Sequence, residues 1–314
     1  MTPGYEALHY GAAWRDLSGR GKIKVTGEDR ARLLHALSTN HIQGLEPGQG
    51  CYAFFLSAQG RIVADAAILC RPDHLLLDTE PEIAGKLAQH IDKFIIADDA
   101  AVGDLTATTA TLAVEGPQAA AVLAGAGIPV PLLPYASLEW ENGIVVRMSF
   151  TGAPGFFLVA PIGRRAAIRS ALAQAGAVEA SEDDFRTVRL EHGKPRYGED
   201  VSERFLAQEA NQPHALHFSK GCYLGQEIVE RVRSRGQIHR VLMPVEIDTS
   251  TPPSPGTKLQ APGMDGAAAE IASSAFSPLR GKTVALAYVR TAQALPGTAL
   301  TFGEAAARVT APAE

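Results

Sequence analysis

Helical periodicity runs through this chain as far as Gly236 and then stops. Upstream, Leu33, Leu34 and Leu37 share one helix face, as do Ile83, Leu87, Ile91 and Phe94. Downstream, short β-type runs such as Val241-Leu242-Met243 and Ile271-Ala272-Ser273 alternate with Pro/Gly turns. Pro255-Gly256-Thr257-Lys258-Leu259 is echoed by Pro296-Gly297-Thr298-Ala299-Leu300, each reading as a turn that feeds a strand. A mixed α/β part followed by an all-β domain over 236–314, a small barrel or open sandwich, is the expected division.

The first part has an internal order. Tyr52–Leu56, Arg61–Leu69 and Leu75–Leu77 read as three strands, followed by a helix and a fourth strand. That β-β-β-α-β pattern marks an inserted subdomain over 47–108, which splits a central α+β region into 1–46 and 109–235. Three Ser/Thr-x-x-Asp/Glu pairs, Thr26 with Asp29, Thr79 with Glu82 and Ser181 with Asp184, have the spacing of capping boxes at helix starts.

Bulk properties exclude several classes. With 314 residues, a net charge of −5 and a pI near 6.0, the chain has no global basic field for nucleic acid. Its cysteines, Cys51, Cys70 and Cys222, are three in number, widely spaced and without a Cys-x-x-Cys. That argues against a disulfide framework and fits a reducing compartment. No secretory signal or membrane-length apolar run is visible, so a cytoplasmic, monomeric protein without a membrane role is expected. The Gly-x-Ser-x-Gly, phosphate-loop and dinucleotide fingerprints are absent.

The densest chemistry lies at Lys220-Gly221-Cys222-Tyr223-Leu224-Gly225-Gln226-Glu227. Two glycines bracket a thiol, a lysine precedes it, and the residues after it look helical. A thiol near an ammonium and a helix N-terminus ionises more easily. The same spacing also fits a plain surface turn. Upstream, Arg189–Asp200 is rich in groups that hold planar or anionic ligands: a guanidinium fork at Arg189, a carboxylate at Glu191, and a ring with a hydroxyl at Tyr197. Asn40 follows a helix end and suits either a cap or a ligand contact. His214 and His217 precede Cys222, but two imidazoles and one thiol are too few to predict a metal site. Arg231, Arg233 and Arg235 form a local basic run, diluted by Glu227 and Glu230, that would suit RNA.

Lys220-Gly-Cys-Tyr-x-Gly-Gln-Glu227 resembles the signature of the YgfZ-type folate-binding proteins, relatives of the glycine-cleavage T-protein. Arg189-Leu-Glu-x-Gly193 with Tyr197-Gly198, Leu112-Ala-Val-Glu-Gly-Pro117, and Gly50–Leu56 with Gly60-Arg61-Ile62 resemble further family segments in family order. The resemblance implies an α+β, T-protein-like cloverleaf. Two interleaved α/β modules with mainly antiparallel sheets and a C-terminal β-barrel would surround a central folate channel. It implies tetrahydrofolate or a one-carbon derivative as cofactor. Cys222 and Lys220 become the candidate catalytic pair, with Cys222 facing the channel. Arg189, Glu191, Tyr197, Asn40, Gly221, Tyr223, Gly225, Gln226 and Glu227 become the candidate folate-binding residues. The implied role is that of an accessory protein in iron–sulfur cluster assembly or repair. Its partners would be iron–sulfur client or assembly proteins, with indirect effects on tRNA modification.

One departure bears on the alternative, a tetrahydrofolate-dependent aminomethyl- or methyltransferase. Where the T-protein pattern has a Gly-Tyr-Thr-Gly-Glu turn, this chain reads Phe150-Thr151-Gly152-Ala153-Pro154-Gly155, without the acid. No match to the T-protein's catalytic aspartate is read from the sequence, which leaves Asp98, Asp99 and Glu191 as the candidate carboxylates for that reaction.

Overall fold

A computed structural model describes residues 1–236 and 238–311. The chain forms three sheets with helices packed on them. The fold is α+β, and among the described strands pairing is antiparallel except where Ala13–Asp16 meets Val178–Glu179.

The first sheet runs in the order Gly50–Leu56, Ile62–Cys70, Leu75–Thr79, Gly21–Thr26, Ala101–Asp104. The β-β-β-α-β order read from the sequence is present, but the sheet is not self-contained. Gly21–Thr26 inserts between Leu75–Thr79 and Ala101–Asp104, so a boundary at residue 47 passes through the sheet. The reason is a register of buried side chains: Ile23 and Val25 join Leu75, Leu77 and Leu87 in one core. The second sheet takes strands from both flanks, Ala13–Asp16, Thr109–Glu115, Ser137–Trp140, Gly143–Val146 and Gly155–Pro161, with Val178–Glu179 at its edge. Helices Ala119–Gly125 and Arg165–Gln174 bury Leu123, Ile168 and Leu172 against it.

The third sheet orders Lys258–Leu259, Ala269–Ser277, Lys282–Arg290, Arg240–Ile247, Ala305–Val309 and Ala299–Phe302. A bridge between Gln260 and Thr301 ties its two outer strands, which makes it a nearly closed barrel. Helix Glu182–Glu191 joins the parts. It places Phe185 and Val188 in the second sheet's core and Leu190 in the core shared by the first sheet and the barrel.

Of the three capping pairs, Ser181–Asp184 forms both reciprocal bonds, 3.1 and 2.9 Å. The other two do not cap. Thr26 and Thr79 each end a strand, and Thr79 gives its hydroxyl to the Asp65 carbonyl at 2.6 Å. The helices start later, at Arg30 and Ala84, and Asp29 bonds Arg32 and the Asp99 backbone instead. Among the described residues, no helix is long and apolar enough to cross a membrane.

Candidate functional site

The first two sheets and the segment after helix Glu182–Glu191 enclose a cavity with about 630 Å³ of empty space, its mouth included. Tyr52 and Asp65 come from the first sheet, Phe157 from the second, and Ser149 and Phe150 from the turn beside it. Lys194, Arg196 and Tyr197 close one side, and Gln212 and His214 line a further stretch.

Three carboxylates reach this cavity, and their partners differ. Asp78 meets Arg20 and Lys22, each at 2.6 Å. Burial alone would raise its pKa, but those two cations outweigh it and hold the carboxyl below the ordinary value. Glu80 is clamped between Arg20 and Arg196, the latter at 2.9 Å. Asp65 has no cation paired with it among the described residues. It accepts the Tyr52 hydroxyl at 2.6 Å, in the middle of a nine-residue strand that is buried throughout. Burial pushes its pKa up to about 6, against the pull of the Tyr52 hydrogen bond and with help from the charge of Glu80. A carboxyl that exchanges its proton near neutrality in a cleft is the kind of group acid–base chemistry needs. Asp65 was missed in the sequence because its neighbours, Ile62-Val63-Ala64 and Ala66-Ala67-Ile68-Leu69, read as one apolar strand. The available signal was the lone acid inside that run.

The residues proposed from sequence divide into three groups. Arg189 and Tyr197 line the cavity, but the two terminal nitrogens of Arg189 and the Tyr197 hydroxyl are spent on the fold, while Arg189 Nε is buried without a partner among the described residues. Arg189 bonds Asp200 and Glu199 at 2.6 and 2.7 Å, and the Tyr197 hydroxyl lies 2.7 Å from the Val63 carbonyl, two residues before Asp65. Asn40 buttresses the wall from outside, donating to the carbonyls of Tyr52 and His214 at 2.9 Å each. Glu191 lies elsewhere, between Tyr5 and His9. Asp98 and Asp99 also lie outside the cavity: Asp98 pairs with Arg32 at 2.5 Å, and Asp99 accepts the Glu28 N–H at 3.0 Å.

The cysteine loop is a structural latch. Lys220 is buried, and its side chain is committed to the backbone. Its ammonium donates to the carbonyls of His35 and Ser38, at the C-terminal end of helix Arg30–Leu37, and lies 4.8 Å from the Tyr223 ring centroid. Burial pulls its pKa down to about 8. The Lys220 carbonyl meets His35 Nε2 at 2.8 Å, and the Leu224 N–H donates to Ala36 at 3.0 Å. Gly225 has φ of 84°, and a Cβ there would stand 2.6 Å from the Ser57 carbonyl oxygen. Gly221 turns the loop at φ 97°, and Gln226 accepts the Tyr223 N–H at 3.3 Å. Glu227 pairs with Arg231 at 2.6 Å along helix Gln226–Arg235. Cys222 is exposed and is not among the residues that line the cavity, contrary to the expectation that it faces a central channel. Arg233 stacks over Phe218 and sits 3.5 Å from Glu230, so two of the three arginines in the basic run already have partners.

The turn that lacks the expected acid receives one from a neighbouring strand. Glu115, fully buried, accepts the Ser149 hydroxyl at 2.7 Å and the N–H groups of Phe150 and Thr151 at 2.5 and 2.9 Å.

The family model described as the GCVT N-terminal domain matches residues 3–220. The chain belongs to the GCVT family. Aminomethyltransferases of Rubrobacter xylanophilus and Streptomyces coelicolor are each 29% identical to it, over 91% and 90% of this chain and 78% and 79% of theirs. A protein of Arabidopsis thaliana named as a chloroplastic transferase is 26% identical over 82% of this chain, which spans 61% of that relative's length. The crystal structure of the glycine cleavage system aminomethyltransferase T from Bartonella henselae superposes with a TM-score of 0.89. It covers 98% of this chain and 87% of its own at 23% identity, so the GCVT-family chain has the T-protein-like fold.

Proposed function

We propose that this GCVT-family protein binds tetrahydrofolate or a one-carbon derivative in the central cavity and acts as an aminomethyl- or methyltransferase. The observation that carries this reading is Asp65, an acid in the cavity wall with no paired cation and a pKa near 6. The names of the aminomethyltransferase relatives support it over an accessory role alone. The cavity's donor set fits a reduced pterin: the rings of Tyr52, Tyr135, Phe150 and Phe157 suit a flat heterocycle, and Asp65, Gln212 and His214 offer hydrogen bonds. When bound, tetrahydrofolate supplies the nitrogens that accept a one-carbon unit. Asp65, held by Tyr52, takes or holds a proton and places negative charge beside a developing cation. Arg20, Lys22 and Arg196 pair with Asp78 and Glu80 and leave Asp65 without an ion-pair partner among the described residues. The test is formation of methylene-tetrahydrofolate and ammonia from tetrahydrofolate and an S-aminomethyl thiol donor, whose carbon is already at the methylene level so that no oxidant is needed, with wild type and Asp65→Asn side by side. No product from wild type counts against transfer.

A second reading, action in iron–sulfur cluster assembly or repair, is favoured by one observation, the exposed thiol of Cys222 on a latched loop. One thiolate cannot hold a cluster, so an iron–sulfur client or assembly protein would supply the remaining ligands. Loss of cluster-enzyme activity in cells carrying Cys222→Ser, with folate binding intact, supports this role; full activity rejects it.

A further inference from the structure

Three phenols line the cavity, and two are committed to the protein. Tyr52 gives its hydroxyl to Asp65 at 2.6 Å, and Tyr197 lies against the carbonyls of Val63 and Ile62 at 2.7 and 3.1 Å. The hydroxyl of the third, Tyr135, has no hydrogen-bond partner among the described residues. The other aromatic walls, Phe150 and Phe157, have no hydroxyl to offer.

Tyr135 is also held in place by an unusual backbone. Its φ is 58°, in the left-handed region that a side-chain-bearing residue rarely adopts. The surrounding hydrogen bonds fix that conformation. The Tyr135 N–H donates to Arg147 at 2.8 Å, the Arg147 N–H returns to Ala136 at 2.9 Å, and the Ser137 N–H donates to Gly48 at 2.7 Å. The last bond straps this segment across to the start of the first sheet. Close packing at Gly50 completes the strap: a Cβ there would lie 2.8 Å from the Tyr135 carbonyl oxygen. Two sheets therefore cooperate to hold one ring at the cavity wall with its hydroxyl unspent.

From this geometry, and resting on the folate reading above, we infer that Tyr135 is a ligand-binding residue whose hydroxyl donates a hydrogen bond to the reduced pterin held in the cavity. The phenol is suited to donate. Burial first, then the negative charge of Asp65, pushes its pKa upward, so the proton stays on the oxygen through neutral pH. The strap supplies preorganisation: the ring need not be ordered when the ligand arrives.

The test is calorimetric titration of wild type, Tyr135→Phe and Tyr197→Phe with tetrahydrofolate, alongside the melting temperature of each. Tyr135→Phe keeps the ring and the strap and removes only the hydroxyl. The expected result is a Kd raised about five- to tenfold with an unchanged melting temperature. Tyr197→Phe, whose hydroxyl serves the fold, is expected to melt lower. Heat from wild type with a Tyr135→Phe Kd within about twofold of it overturns this inference and leaves the folate reading standing. No heat from wild type overturns both.

Discussion

The cysteine loop and the cavity spend their polar groups differently. In the loop, each conspicuous residue serves the backbone. Lys220 holds the end of a helix, Gly225 admits a close carbonyl, and Glu227 pairs along its own helix, while the thiol faces solvent. In the cavity, the group with chemistry left over is an aspartate buried in an apolar strand. Glycines and charges crowd a segment when the backbone must turn sharply and be tied down. A reactive group needs only one position and a partly unmet demand. Density of unusual residues therefore reported conformation here, whereas the unpaired acid is the one the proposed chemistry would use.

The largest effect that would break this contrast is on turnover. Asp65→Asn is expected to lower one-carbon transfer by at least about a hundredfold, read as methylene-tetrahydrofolate formed per unit time. The same change should stabilise the protein. A pKa near 6 in the native chain against about 4 in the unfolded one means that the native state binds the proton more tightly. Stability then falls as pH rises from about 4 to 6 and stays low above that. Removing the charge recovers about 1–3 kcal/mol at pH 7 and flattens the slope, which urea denaturation across pH will show. Lost turnover together with lost stability would make Asp65 a structural group.

Next comes the latch. Lys220→Met removes two charge-assisted bonds to helix-end carbonyls and is expected to cost about 2–4 kcal/mol in urea denaturation. Gly225→Ala forces a side chain into a left-handed turn against the Ser57 carbonyl and should cost about 1–3 kcal/mol by the same measurement. Smallest is Cys222→Ser. It should shift stability by less than about 0.5 kcal/mol and leave tetrahydrofolate affinity within about twofold, since the thiol is exposed and lies outside the cavity. A large loss of folate affinity in that variant would collapse the distinction between loop and cavity.

Much of the fold was legible. Strand and helix periods located most elements, the loss of helical period at Gly236 preceded the barrel strands that begin at Arg240, and the Ser181 box formed as spaced. The failures have physical causes. Thr26 and Thr79 have capping spacing, but sheet registers claim them, because pairing with the Ala101 and Gly21 strands extends through them. The same pairing carries Gly21–Thr26 into the first sheet across the boundary at 47 that the element pattern implied. The site was less legible. Its wall is assembled from well-separated segments, from Arg20 to His214, that come together only after the sheets form. Arg189 and Tyr197 were found at the wall, but the roles of their polar atoms depend on partners, Asp200 and the Val63 carbonyl, that no spacing reveals.

The central claim is that the ligand sits at Asp65 and away from Cys222. A crystal structure determined with tetrahydrofolate bound tests it most directly. The account predicts the pterin inside the cavity, within hydrogen-bond distance of Asp65, with no contact to the Cys222 sulfur. A pterin seated against Cys222, outside that cavity, would contradict it.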